Sequence, residues 1–334
     1  MAGRFAQRPT RTTARGGHVV VPQDGVPRPA AAPGVRREWV SEGALDLGLV
    51  LGPLRRGPGD PTFRATADGA VWRASRTPVG AGTLRVVLRG GVVEAEAWGP
   101  GASWLLDQLP PLLGALDEPE VFVPRHRVVA MAWRRRVGLR LTRTSLVLES
   151  LIPSVLEQKV TTDEAYRAWR LLVRKFGEPA PGPVPPGMFV MPTAREWALI
   201  PSWEWHRAGV DNKRASTILR AVRVAGRLEE AVGMSPEDAR RRLELVPGVG
   251  VWTSAETVQR SHGAADAVTV GDLHLPGIVG FALAGDRDAD DSVMLSLLEP
   301  YAGQRHRAAR LILLSGRAPA RRAPRMPRGD IGRL

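Results

Sequence analysis

A chain of 334 residues, 43% of them hydrophobic, is long enough for two domains with a sizeable core. It has no cysteine, which excludes disulfides, thiolate zinc sites, iron–sulfur clusters and a cysteine nucleophile. A net charge of +13 points to a polyanionic partner, nucleic acid or an anionic membrane surface, although the Ala-, Gly-, Pro- and Arg-rich composition is also that of a GC-biased coding sequence.

Residues 1–37 read as a flexible basic arm carrying Arg4, Arg8, Arg11 and Arg15. No apolar run of signal-peptide length follows, and Pro9, Gly16 and Gly17 interrupt any transit helix. No stretch approaches the roughly 18 to 20 apolar residues of a membrane span. The expectation is a cytoplasmic protein with no membrane partner.

Residues 38–125 read as a β-rich domain. Thr62–Thr66 and Val71–Ser75 flank an Asp68-Gly69 turn, and Leu84–Leu88 and Val92–Trp98 flank Gly90-Gly91. Glu94 and Glu96 alternate with Val93, Ala95 and Ala97, so one face is wet. Trp104–Leu109 reads as a helix covering the antiparallel sheet.

Residues 126–316 read as an all-α domain, with the helical pattern firm from about Arg143. Leu148, Leu151, Ile152 and Val155 form an apolar stripe at helical spacing. Thr161 with Glu164 and Thr193 with Glu196 are capping boxes. Asp211 opens another helix, and Ser235-Pro236 supplies an N-cap and a first-turn proline. Trp203 and Trp205 are assigned to the core. Residues 317–334 read as a second disordered basic tail. The fold class is therefore α+β, a β-sheet domain with helical cover followed by a helical domain.

The segment richest in chemistry is Leu243-Glu-Leu-Val-Pro-Gly248-Val249-Gly250-Val-Trp252-Thr253. A helix runs into Pro-Gly-Val-Gly and a second starts near Val251. The glycines permit a tight turn and bring bare backbone close to a ligand. Amides there and in the next helix's first turn suit phosphate, so the motif reads as a helix-hairpin-helix grip on DNA backbone. The bland alternative is an ordinary helix–helix turn. Twenty residues past Trp252 lies Gly271-Asp272-Leu273-His274, ahead of a helix at about 275–284. By itself Asp272 suits an N-cap, and His274 a packed or capping residue.

Together these pieces resemble the helix-hairpin-helix DNA glycosylase superfamily, and within it the 3-methyladenine DNA glycosylase II type, over about residues 38–316. The resemblance makes Asp272 the catalytic aspartate and Trp252 a base-pocket tryptophan, with packing of the hairpin as its alternative. Gly248, Val249, Gly250 and Thr253 become the DNA-backbone contacts. Leu156–Thr161 resembles the segment that plugs the gap left by an extruded base, with Gln158 and Lys159 at the wedge. The superfamily's bifunctional members place a lysine where this chain has Trp252, so a monofunctional enzyme without lyase activity is implied. No cofactor is required. The backbone carbonyls of Glu244, Val246 and Val249 correspond to a monovalent-cation site.

Two departures concern specificity. Glu256 stands where the type family has a pocket tyrosine, and Lys159 replaces an apolar wedge. The implied function is base excision repair of duplex DNA by a monomeric, nucleoid-associated hydrolase. It rotates an alkylated (3-methyladenine-like) or otherwise damaged base out of the stack and hydrolyses its N-glycosidic bond. The alternatives are a non-catalytic DNA-binding or damage-sensing protein and, less consistent with a phosphate grip, an enzyme of free nucleosides.

Overall fold

A computed structural model describes residues 33–320. The basic arm up to residue 32 and the tail beyond residue 320 lie outside the described residues. The first part runs β1 (Val35–Val40), α1 (Leu47–Leu51), β2 (Phe63–Ala65), β3 (Val71–Thr77), β4 (Gly80–Arg89), β5 (Val92–Trp98), α2 (Ala102–Asp107) and α3 (Leu109–Leu112). The five strands form one antiparallel sheet in the order β1-β5-β4-β3-β2.

Local chemistry explains its turns. Gly90 and Gly91 both take positive φ, 55° and 84°, as a two-residue hairpin between Arg89 and Val92 requires. At the β2–β3 turn Asp68 accepts from the Ala70 amide and the Thr66 hydroxyl, while Gly69 sits at φ 81°. Val93, Ala95 and Ala97 are buried and pack with Leu105 and Leu106 of α2. The sheet begins earlier than its composition suggests. Val35 pairs with Ala97 and Arg36 with Glu96, so Val35–Arg37 belong to β1 rather than to the arm. An ion pair between Arg36 and Glu96 (3.2 Å) accounts for an arginine on that edge.

The remainder is helical: α4 (Arg127–Arg135), α5 (Val147–Leu156), α6 (Thr162–Phe176), α7 (Ala194–Ala198), α8 (Ser202–Arg207), α9 (Asn212–Arg223), α10 (Ala225–Glu229), α11 (Pro236–Glu244), α12 (Val251–Ser261), α13 (Leu275–Ala284), α14 (Asp291–Leu298) and α15 (Arg305–Ser315), with a two-residue strand pair, β6 (Glu178–Pro179) and β7 (Phe189–Val190). Both capping boxes form, and Asp211 and Ser235 cap α9 and α11. Two helical cores result. One surrounds α5 and includes α6, α9 and α12; the other joins α4, α13, α14 and α15. Trp169, Trp197 and Trp205 stack in the first. Trp203 does not join them. It is 63% exposed, because neighbouring helical positions face different sides of the short α8.

Buried ion pairs tie the sheet and the segment between β1 and β2 to the helices. Arg73 meets Glu149, and Arg56 meets Glu157 at 3.0 Å. The indole of Trp169 also donates to Asp60 at 3.1 Å. Among the described residues no helix is long and apolar enough to cross a membrane.

Candidate active site and DNA-backbone hairpin

α11 and α12 are joined by Leu245–Gly250. Gly248 sits at φ +102°, and a Cβ there would lie 2.0 Å from Thr217 Oγ1, so only glycine fits. Gly250 has φ −106° and open space around it, which leaves its backbone approachable. The amides of Gly248 and Gly250 meet no acceptor among the described residues. Val249 differs from expectation. Its side chain is buried and its amide donates to the Val246 carbonyl at 2.9 Å, closing the turn from inside. Thr253 is likewise buried, and its hydroxyl accepts from Gln158 Nε2 at 2.7 Å. Neither side chain is presented to a ligand.

Gln158 also donates to the Gly248 carbonyl at 3.0 Å, so the wedge segment after α5 is fastened to the hairpin. Lys159 beside it is exposed and adopts φ +53°, a left-handed conformation unusual for a side-chain-bearing residue. Lys159 is thus exposed while its neighbour Gln158 is tied to Gly248 and Thr253. The Arg56–Glu157 pair fixes the residue immediately before Gln158.

Asp272 follows Gly271, which takes φ +83°. Its Oδ1 accepts from the amides of His274 and Leu275, both at 2.8 Å, and thus caps α13. Its Oδ2 accepts from the Trp252 indole N–H at 3.1 Å. The capping and functional readings of Asp272 are therefore compatible, since the cap fixes one oxygen and aims the other. Asp272 stands beside a cavity of about 540 Å³ walled by α1, α12, α13 and α15. Between it and His274, Leu273 is 87% exposed.

Glu256 lines this cavity; Trp252 does not, and is occupied with Asp272 instead. Glu256 pairs with Arg260 at 2.7 Å and accepts from the Thr269 hydroxyl at 2.9 Å. Burial works to raise the Glu256 carboxyl. The Arg260 charge and the hydrogen bonds from Arg260 and Thr269 outweigh it and hold the group below its ordinary value. Arg260 also donates to the Pro53 carbonyl at 3.1 Å.

Two lining residues that sequence reasoning missed are His306 and Arg310 on α15. Burial, reinforced by the charges of Arg310, Arg260 and Arg307, pushes His306 well below its ordinary value, so its ring is neutral. Burial and the charges of Arg260 and Arg307 pull Arg310 down to about 10, which leaves it charged at neutral pH. Nothing local in the sequence separates these two from surface residues of the same helix.

No cluster of three or more metal-ligating side chains occurs among the described residues. Around the hairpin, the Pro247 and Gly248 carbonyls already accept from Arg220 and Gln158, and that of Val246 from the Val249 amide. Of the three carbonyls expected to hold a cation, those of Glu244, Val246 and Val249, that of Val246 thus already accepts one hydrogen bond.

No family model and no curated protein matches the chain. Solved structures do. A 3-methyladenine DNA glycosylase from Archaeoglobus fulgidus superposes with a TM-score of 0.69 at 18% identity, covering 84% of this chain and 98% of that one. MBOgg1 in complex with a low-affinity DNA ligand gives 0.69 at 15% identity over 86% and 96% of the two chains. An 8-oxoguanine glycosylase/lyase from Clostridium acetobutylicum, bound to double-stranded DNA with cytosine opposite 8-oxoguanine, gives 0.66 at 12% over 85% and 98%. The chain thus has the α+β fold of the helix-hairpin-helix DNA glycosylases, sheet and helical parts together.

Proposed function

We propose that the protein is a monofunctional DNA glycosylase of base excision repair, hydrolysing the N-glycosidic bond of a damaged base rotated out of duplex DNA. The observation that carries this is Asp272, oriented through both oxygens beside a cavity of about 540 Å³, a size suited to a small ligand. Bond cleavage builds positive charge on the sugar. A fixed carboxylate stabilises that charge and orients the attacking water. The free amides of Gly248 and Gly250 at the start of α12 grip a phosphate nearby. A monovalent cation on the carbonyls of Glu244, Val246 and Val249 suits the same phosphate, and no step depends on it.

The absence of lyase chemistry rests on the lysines. The chain has three, Lys159, Lys175 and Lys213, and none lines the cavity. A Schiff base needs an amine at the sugar carbon, and the hairpin position that would supply one is Trp252. The test is incubation with duplexes bearing single defined lesions, followed by alkali. Strand breaks after alkali support the enzyme; breaks without alkali refute the monofunctional reading. Binding without any break leaves the damage-sensing alternative in its place.

A further inference from the structure

The cavity that accepts the extruded base has an unusual lining for a pocket that recognises cations. Among the described residues, no Trp, Tyr or Phe contributes to it; its only aromatic rings are the imidazoles of His274 and His306. A cationic base held by stacking would find no electron-rich face. The one deep carboxylate, Glu256, is already committed to Arg260 and Thr269. Asp272 is committed to Trp252 and two amides.

Arg310 is different. It donates to the Leu49 carbonyl, and no carboxylate among the described residues pairs with it. Its other N–H groups meet no acceptor among the described residues, so Arg310 brings unused donors to the cavity wall beside the neutral His306, with no carboxylate in contact and Asp117 the only negative charge acting on it. Such a lining favours acceptors and repels a second cation.

Resting on the glycosylase reading, we propose that this cavity selects neutral bases whose edges carry carbonyl oxygens, as oxidised or deaminated bases do, over cationic N-alkylated purines, and that Arg310 sets the choice. The chemistry agrees. A cationic base leaves neutral and needs little help. A neutral base takes the electron pair of the broken C1′–N bond and becomes anionic, which the Arg310 charge stabilises. Water oxygen bonds to C1′, and its proton finally rests on the departed base.

The experiment uses the full chain and duplexes carrying one hypoxanthine, one 8-oxoguanine or one 7-methylguanine, under single-turnover conditions with alkali treatment. The expected result is that at least one oxo-base is excised about 10- to 100-fold faster than 7-methylguanine, the range associated with a hydrogen bond to a charged group. The hypoxanthine and 8-oxoguanine arms separate deaminated from oxidised sources. Arg310→Met should erase or invert the preference, while Arg310→Lys, which keeps the charge, should retain part of it. Faster excision of 7-methylguanine by the unmodified protein overturns the proposal and leaves the glycosylase reading standing. A folded Arg310→Met variant with the original ratio also overturns it. Excision of no lesion at all defeats the glycosylase reading itself.

Discussion

The indole N–H of Trp252 donates to Oδ2 of Asp272 across 3.1 Å, linking the first turn of α12 to the cap of α13. One side chain thereby couples the hairpin between α11 and α12 to the carboxylate beside the cavity. Asp272→Asn should lower the excision rate constant by about 10²- to 10³-fold with DNA affinity kept, the scale for loss of a preorganised electrostatic group. Trp252→Phe, which removes only the donor, should cost about tenfold, near the contribution of one hydrogen bond to a charged acceptor. Single-turnover kinetics check both. Full activity in Asp272→Asn would remove Asp272 from the reaction.

The two hairpin glycines should respond differently. Gly248→Ala forces a side chain into φ +102° and against Thr217, so the protein should lose about 1–3 kcal/mol of stability. Gly250→Ala meets neither obstacle and should melt like the parent. Its added methyl should still weaken binding to every duplex sequence alike, because the proposed contact is to backbone. Thermal melts alongside binding to several unrelated duplexes test this. A sequence-selective loss in Gly250→Ala would contradict the phosphate grip.

Lys159 and Gln158 should respond differently to removal. Lys159→Ala should reduce the slope of log affinity against log salt by about one, as the loss of a single phosphate contact does. Gln158→Ala breaks the ties to Gly248 and Thr253, so excision should fall more than affinity does. A salt titration of each variant distinguishes them; an unchanged slope in Lys159→Ala would place that ammonium away from DNA.

The fold should be acid-sensitive. Burial lowers His262, with help from the Arg143 charge and against a bond to the Ala231 carbonyl; His306 is lowered further. Both rings charge more readily in the unfolded chain, whose histidines titrate near about 6.5. The unfolded state therefore binds more protons as pH falls below that value, and stability drops on the acid side. Melting temperature should be flat above about pH 7 and decline below it. His306→Gln should shallow the decline; an identical pH profile in that variant would show that His306 does not contribute.

What the sequence made legible was governed by short-range rules. The Gly90-Gly91 hairpin, the Thr161 and Thr193 capping boxes and the Pro-Gly-Val-Gly turn each depend on residues within one turn of each other. The glycine–aspartate step at Gly271-Asp272 is equally local. The cavity is not, because its walls come from residues 48–53, 142, 256–278 and 306–314. Glu256 and Arg260 stand four apart, a spacing that marks an ion pair, yet nothing nearby says that the pair is inside. The sequence suggests a base-pocket place for Trp252, yet its ring lies outside the cavity lining and its indole N–H is bonded to Asp272, because a bond to a carboxylate and a stacking face draw on the same residue type. The three lysines and the missing cysteines needed no geometry, which is why they constrain the chemistry from composition alone.

Gly48, Leu49, Gly52 and Pro53 form one wall of the cavity, and the Leu49 and Pro53 carbonyls receive Arg310 and Arg260. The sheet-bearing segment is thus a subunit of the pocket within a single chain. Severed from it, the helical layers would keep their hairpin and Asp272 but lose both carbonyl acceptors, freeing the Arg310 guanidinium on one side of the site while Arg260 stays paired with Glu256. Such a fragment would become a better general polyanion binder and a poorer judge of bases, so affinity for undamaged DNA and discrimination among lesions should move in opposite directions.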